Sequence, residues 1–126
     1  MILLDTHVWL WWLLGEGPLS EEERKTLDEH ASRKEIAISA ASIWEAEMLQ
    51  RKGLIQLEPS FNTWISLATQ NGVCTVISID KEVILAQEKL PQDFPDDPAD
   101  RLIVATALMK EYPLATKDGV LQELGF

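Results

Sequence analysis

Four acidic residues stand where an apolar run stops or a helix begins: Asp5, Glu45, Asp100 and Asp118. Asp5 follows Ile2-Leu3-Leu4, and Asp118 follows Leu114-Ala115-Thr116-Lys117. A carboxylate at the end of a buried strand is costly unless something uses it. Four such groups, spread along the chain, suggest a site that gathers negative charge to hold a divalent metal ion. Each has a plainer reading when taken alone. Asp5 can cap the helix that follows it, Asp118-Gly119 can form a turn, Asp100 can complete a capping pair with Asp97, and Glu45 can lie on a surface. Helical phase does not separate Glu45 from Glu47, although Glu47 has another use in an i, i+4 pair with Arg51.

The elements that must position these acids can be read from caps and periodicity. Ile2 to Leu4 reads as a short buried strand and Thr6 to Leu14 as a helix, stopped by Gly15 and Gly17-Pro18. Ser20-Glu21-Glu22-Glu23 has the capping-box pattern and opens a polar helix to Ser32. Ile36-Ala37-Ile38 is a second strand, and Ser39 caps a helix to Lys52, with Gly53 as its stop. Ser60 caps a shorter helix ending at Asn71-Gly72. Val73 to Ile79 alternates and reads as a third strand. Asp80 starts a helix that ends near Leu90-Pro91. The segment from Pro91 to Pro98 is a loop. Asp97-Pro98 starts a helix to Lys110 with proline at its first position. Leu114 to Thr116 is a fourth strand, and Gly119 to Leu124 a last helical turn or two.

Short apolar strands alternating with helices imply a parallel sheet covered on both faces, a three-layer α/β/α arrangement. In such folds the ligand crevice lies outside the carboxyl ends of the strands. Asp5 and Asp118 fall at such ends. Asp100 begins a helix, whose N-terminus favours negative charge. Three of the four acids should therefore converge.

Composition narrows the classes. The 126 residues suffice for one domain, 46% are hydrophobic and 25% charged, an ordinary globular balance. The longest strictly apolar stretch, Val8 to Leu14, is too short to span a bilayer. Asp5 breaks the first apolar run early, so the N-terminus does not read as a signal peptide. The single cysteine, Cys74, sits among Val73, Val76 and Ile77 and reads as a core thiol in a reducing cytoplasm. The formal net charge of −10 argues against non-specific duplex binding. It leaves room for a nucleic-acid enzyme, because metal ions offset site carboxylates locally. The basic pairs Arg24-Lys25, Arg33-Lys34 and Arg51-Lys52 read as solvated helix faces.

Four segments in order carry a resemblance: Leu3-Leu4-Asp5-Thr6-His7-Val8-Trp9-Leu10-Trp11; Ile38-Ser39-Ala40-Ala41-Ser42-Ile43-Trp44-Glu45; Asp97-Pro98-Ala99-Asp100-Arg101-Leu102-Ile103; and Leu114-Ala115-Thr116-Lys117-Asp118. Together they resemble a PIN domain, and within that family the VapC-type toxins of bacterial toxin–antitoxin pairs. The resemblance covers nearly the whole chain, so residues 1–126 are expected to form one PIN-like domain. It implies that Asp5, Glu45, Asp100 and Asp118 are the acidic metal-binding and catalytic set. Thr116 matches the family's hydroxyl residue before the last acid, and Ser39 matches the serine that opens the second motif. His7 is not among the carried residues, and its place in a tryptophan-rich helix suggests packing or a hydrogen bond. Trp9, Trp11, Trp12 and Trp44 read as core or interface rather than as base-stacking platforms.

The family pattern continues after the last helix into a fifth edge strand, whereas this sequence stops at Leu124-Gly125-Phe126. Four strands are expected, with five as the alternative. The implied activity is that of an endoribonuclease hydrolysing RNA phosphodiester bonds with Mg²⁺ or Mn²⁺, both suited to hard oxygen ligands. Asp5, Asp100 and Asp118 are the expected principal ligands, and Glu45 holds a second ion or orients water. An antitoxin as protein partner, a homodimer and a cytoplasmic location are further implications. Two rivals stand beside this reading. One is a PIN-like module that binds without cutting. The other is a phospho-acceptor receiver domain, against which Thr6-His7 stands where receivers carry paired acids.

Overall fold

The computed structural model describes residues 1–117. The order of elements is β1 (Ile2–Leu4), α1 (Thr6–Leu14), α2 (Glu21–Ser32), β2 (Ile36–Ser39), α3 (Ala40–Arg51), α4 (Phe61–Ala68), β3 (Thr75–Ile77), α5 (Lys81–Glu88), α6 (Pro98–Lys110) and β4 (Leu114–Ala115). The expected last helical turn, a fifth strand and Asp118 itself lie outside the described residues.

The four described strands form one parallel sheet in the order β3-β2-β1-β4. Leu3 is level with Ala37 and Leu114, and Leu4 with Ile38 and Ala115. Because side chains alternate along a strand, this register sorts the core into two layers. Leu4, Ile36 and Ile38 pack with Val8, Trp9, Leu10 and Leu27 on one face. Leu3, Ala37 and Leu114 pack with Phe94, Ile103, Val104 and Ala107 on the other. The sheet is thus the middle of three layers, as the unbroken apolar strands require.

The connectivity matters more than the strand count. From β1 the chain steps outward through β2 to β3, then returns through α6 to place β4 on the other side of β1. That reversal opens a crevice between the carboxyl ends of β1 and β4. Asp5 and Thr116 are the residues that follow those two ends. α6 runs back toward the start of β4, so its N-terminus stands at the same edge of the sheet.

Local chemistry explains most boundaries. Ser20 Oγ accepts from Glu23 N at 3.1 Å and Glu23 Oε1 accepts from Ser20 N at 2.9 Å, a complete capping box. Asp80 and Asp97 cap α5 and α6 through Val83 N and Asp100 N, each at 3.0 Å. Two elements are shorter than expected. α4 stops at Ala68 because Thr69 Oγ1 turns back to Ile65 O at 2.7 Å and the chain enters a turn. β3 keeps only Thr75–Ile77; among the described residues it is an edge strand paired with β2 alone.

α1 is apolar on every side, which marks it for burial. Trp9 is fully buried and meets Trp64 edge-on with ring centroids 5.5 Å apart. Its Nε1 has no hydrogen-bond partner among the described residues. That omission costs about 1–3 kcal/mol, and truncating a buried tryptophan costs about 3–5 kcal/mol, so packing wins.

Arg24 departs from the solvated-face reading. It is half-buried and donates from Nη1 to Trp11 O at 2.9 Å and from Nη2 to Glu16 O at 2.6 Å, clamping the end of α1. Among the described residues no helix is long and apolar enough to cross a membrane.

Candidate active site

Asp5 is the anchor of the crevice. The run Ile2-Leu3-Leu4 carries it to the end of β1, where its backbone N–H still donates to Ala115 O at 3.1 Å. Its extended backbone, φ −74° and ψ 171°, makes it the N-cap of α1, with Oδ1 accepting from Val8 N at 2.8 Å. The capping role is therefore real, and it uses one oxygen. The other, Oδ2, accepts a hydrogen bond from the Thr116 hydroxyl across the β1–β4 crevice. Asp5 is 95% buried, with 5% of its surface exposed. Hydrogen bonds to both of its oxygens fix the orientation of this carboxylate.

Ser39 ends β2 beside β1. It is fully buried, and its Oγ accepts from Ala41 N at 3.0 Å to cap α3. Its described role is to start α3 at the sheet edge. A neighbouring buried contact does related work: Thr6 Oγ1 donates to Ser42 Oγ at 3.0 Å. This bond ties the first turn of α1 to the first turn of α3. Both residues lie inside the motif segments, yet nothing in their spacing announced the pair.

Glu45 lies in the second turn of α3, half-buried and three residues from Ser42, hence on an adjoining part of the same face. Glu47 is engaged elsewhere: its Oε1 accepts from Arg51 Nε at 2.9 Å. That ion pair separates two glutamates that helical phase left equivalent.

Asp100 occupies the first turn of α6 and is half-buried. Pro98 at the first helical position and Asp97 as the cap fix that turn. Arg101, next in sequence, turns to α5. Its Nε donates to Gln87 Oε1 at 2.7 Å, its Nη2 donates to Gln87 O at 3.2 Å, and its guanidinium lies 5.8 Å from the centre of the Phe94 ring. Lys117, at the end of β4, pairs with Glu23 Oε2 at 2.9 Å. The Ser20 backbone N–H first, and Lys117 after it, hold the Glu23 carboxyl below its ordinary value.

A cleft of about 230 Å³ opens onto Asp5, lined by Asp5, His7, Trp11 and Lys117. A larger recess of about 620 Å³ between α2 and β4 touches Thr116 and Lys117 but, among the described residues, neither Asp5, Glu45 nor Asp100. The smaller cleft is the relevant one, because it reaches the buried carboxylate. The structure thus brings Asp5 and Thr116 into direct contact. It sets Ser39 and the first turn of α6 at the same sheet edge and leaves Asp118 outside the described residues. Among the described residues, no three Asp, Glu, His or Cys side chains are gathered closely enough to hold an ion. The oxygen donors present are carboxylates, the chemical class that Mg²⁺ and Mn²⁺ prefer.

His7 went unclaimed in the sequence. It is exposed at the mouth of the cleft, one turn from Trp11, with the two ring centroids 5.7 Å apart and tilted by 44°. Trp11 is only half-buried.

The sequence profile of the PIN domain matches residues 2–126. The chain belongs to the PIN domain family. Ribonuclease VapC22 of Mycobacterium tuberculosis is 36% identical to this PIN domain over 117 residues, which cover 93% of this chain and 86% of that protein. The four-stranded parallel sheet between helical layers is the fold expected from the sequence.

Proposed function

We propose that this PIN domain is a divalent-metal-dependent endoribonuclease, the toxin of a toxin–antitoxin pair. The observation that carries the proposal is Asp5: a buried carboxylate at the chain-reversal crevice, aimed by Val8 N and the Thr116 hydroxyl into an open cleft. The similarity to a protein named as a ribonuclease supplies the reaction class.

In this reading Asp5, Asp100 and Asp118 supply carboxylate oxygens to Mg²⁺ or Mn²⁺, directly or through water, and Glu45 holds a second ion or orients the attacking water. An ion held by these residues would lower the pKa of water and offset charge on the phosphate. Thr116 positions Asp5 by donating to Oδ2, and capping by Oδ1 prevents rotation of the carboxylate. Ser39 supports the site by starting α3 at the sheet edge, and Thr6 with Ser42 holds α1 against α3. Residues 1–126 act as one domain. The domain works in the cytoplasm as a homodimer, and an antitoxin segment covers the acidic cleft.

The test is cleavage of single-stranded RNA by purified protein in Mg²⁺ or Mn²⁺, with EDTA and Asp5→Asn as controls. Cleavage that needs the metal and falls at least a hundredfold in Asp5→Asn is the expected outcome, the scale on which loss of one electrostatic group acts. RNA binding without cleavage in the wild type would favour the binding-module rival.

A further inference from the structure

The cleft beside Asp5 has an aromatic wall that hydrolysis itself does not require. His7 is exposed between two cavities and lines both. One is the cleft of about 230 Å³ that contains Asp5 and Lys117. The other, about 290 Å³, is lined by His7, Leu10, Trp11, Leu14, Glu16, Leu49, Leu54 and Ile55, of which the aliphatic residues form most of the surface. We propose that His7 and Trp11 form a stacking platform for the base next to the scissile phosphate of a single-stranded RNA, with the second cavity receiving that base. The proposal rests on the RNA-cleaving reading of the Asp5 site.

The wall is built rather than incidental. Trp11 O accepts from Gly15 N at 3.0 Å, Glu16 N at 3.3 Å and Arg24 Nη1 at 2.9 Å, so the residue cannot drift with the fraying end of α1. Gly17, at φ +89°, lies against the indole so closely that a Cβ there would run into Cδ1 and Cγ of Trp11. A side chain at that position would push the ring out of place. His7 lies one turn earlier on the same face of α1, in ring contact with Trp11. An ordered aromatic pair stacks a base with little loss of side-chain freedom, which is how single-stranded RNA is commonly held.

Placement favours RNA as the occupant. Trp11 lies six positions after Asp5, about 9 Å along the helix axis, within reach of a base attached to a phosphate held near Asp5. A phosphate drawn to the acidic site from the cleft would leave its neighbouring base over His7. Lys117 lines the same cleft, and its ammonium, paired with Glu23 Oε2 at 2.9 Å, would have to exchange that partner for a backbone phosphate. The second cavity is lined mostly by aliphatic and aromatic side chains, which suit the faces of a base, with Glu16 also among the lining residues.

The experiment is an abasic scan. A labelled single-stranded oligoribonucleotide is made with one abasic position walked across the cleaved bond. Affinity is read by fluorescence anisotropy in EDTA and KM by cleavage in Mn²⁺, for wild type, His7→Ala and His7→Phe. One abasic position should weaken wild-type binding about 5- to 150-fold, the range for loss of one base–aromatic stack. His7→Ala should bind intact RNA more weakly and lose most of that base dependence, and His7→Phe should restore it. The scan on the wild type needs no variant to fold. A flat scan would overturn the proposal. So would a His7→Ala protein that binds intact RNA as the wild type does, which would leave the cavity to a protein partner's segment. A base-dependent scan with no cleavage in metal supports the platform while sinking the hydrolytic reading alone.

Discussion

Replacing Asp5 by asparagine separates the two roles that the structure assigns to one side chain. Asparagine is as good an N-cap as aspartate, so the bond from Val8 N at 2.8 Å is retained. The amide nitrogen can face Thr116, whose hydroxyl then accepts instead of donating. What is lost is the negative charge. Without metal, the variant forgoes about 0.3–1 kcal/mol of favourable interaction with the N-terminus of α1. It also escapes the cost of burying a charge. The two effects oppose each other, and the metal-free melting temperature should move by only a few degrees.

With metal the proteins should diverge. An ion present at ten to a hundred times its dissociation constant stabilises the folded state by about 1.4–2.7 kcal/mol. For a chain of this length that is roughly 5–10 °C. Wild type should show this gain in Mg²⁺ or Mn²⁺, and Asp5→Asn should lose most of it. Asp5→Ala supplies the contrast, because it also removes the cap and costs about 0.5–2 kcal/mol even in EDTA. Differential scanning calorimetry with and without metal reads all three proteins. A wild type indifferent to metal, or an Asp5→Asn protein with the full gain, would refute the reasoning.

Three further outcomes follow from particular contacts. Thr116→Val keeps the shape of the side chain but removes the donor to Asp5 Oδ2; since a hydrogen bond to a charged group contributes about 1.5–3 kcal/mol, kcat/KM for RNA should fall about tenfold or more, and Thr116→Ser should recover it. Glu23 has its carboxyl depressed below the ordinary 4.5, so its contribution is present above that pH and is lost as pH falls through the lower folded value; a melting series from pH 3 to 7 should be flatter at its acid end in Glu23→Gln. Burial pushes the Cys74 thiol up to about 11, and its Sγ lies 3.3 Å from Ala68 O; iodoacetamide at pH 8 should label it only after unfolding, and rapid labelling of the native protein would contradict its place in the core.

Much of the scaffold was legible because its boundaries are written in local chemistry. Ser20 with Glu23, Ser39, Asp80 and Asp97 with Pro98 each signal a helix start, and each signal depends on side chains reaching backbone within four residues. β3 was overdrawn because alternation in Val73 to Ile79 reports β propensity and not the number of partner strands, and an edge strand has only one. Asp5 could be placed at a strand end, but its bond to Thr116 joins positions 111 residues apart, a separation only the sheet register can close. Helical phase left Glu45 and Glu47 equivalent, and the i, i+4 pairing of Glu47 with Arg51 that the spacing suggests is present in the structure. The sequence suggests packing or a hydrogen bond for His7, and its ring does meet Trp11. Its exposure was hidden because α1 is apolar nearly all round and carries no amphipathic signal of which side faces water.

In the proposed site, acids far apart in sequence gather around one metal ion at the β1–β4 crevice. Anomalous diffraction from crystals containing Mn²⁺, recorded at the manganese edge, tests it most directly. The account predicts a peak in the cleft beside Asp5 Oδ2, about 2.1 Å from its closest oxygen ligands, with Asp100 and Asp118 around the same ion. A map with manganese elsewhere and none at Asp5, at a concentration that supports RNA cleavage, would contradict it.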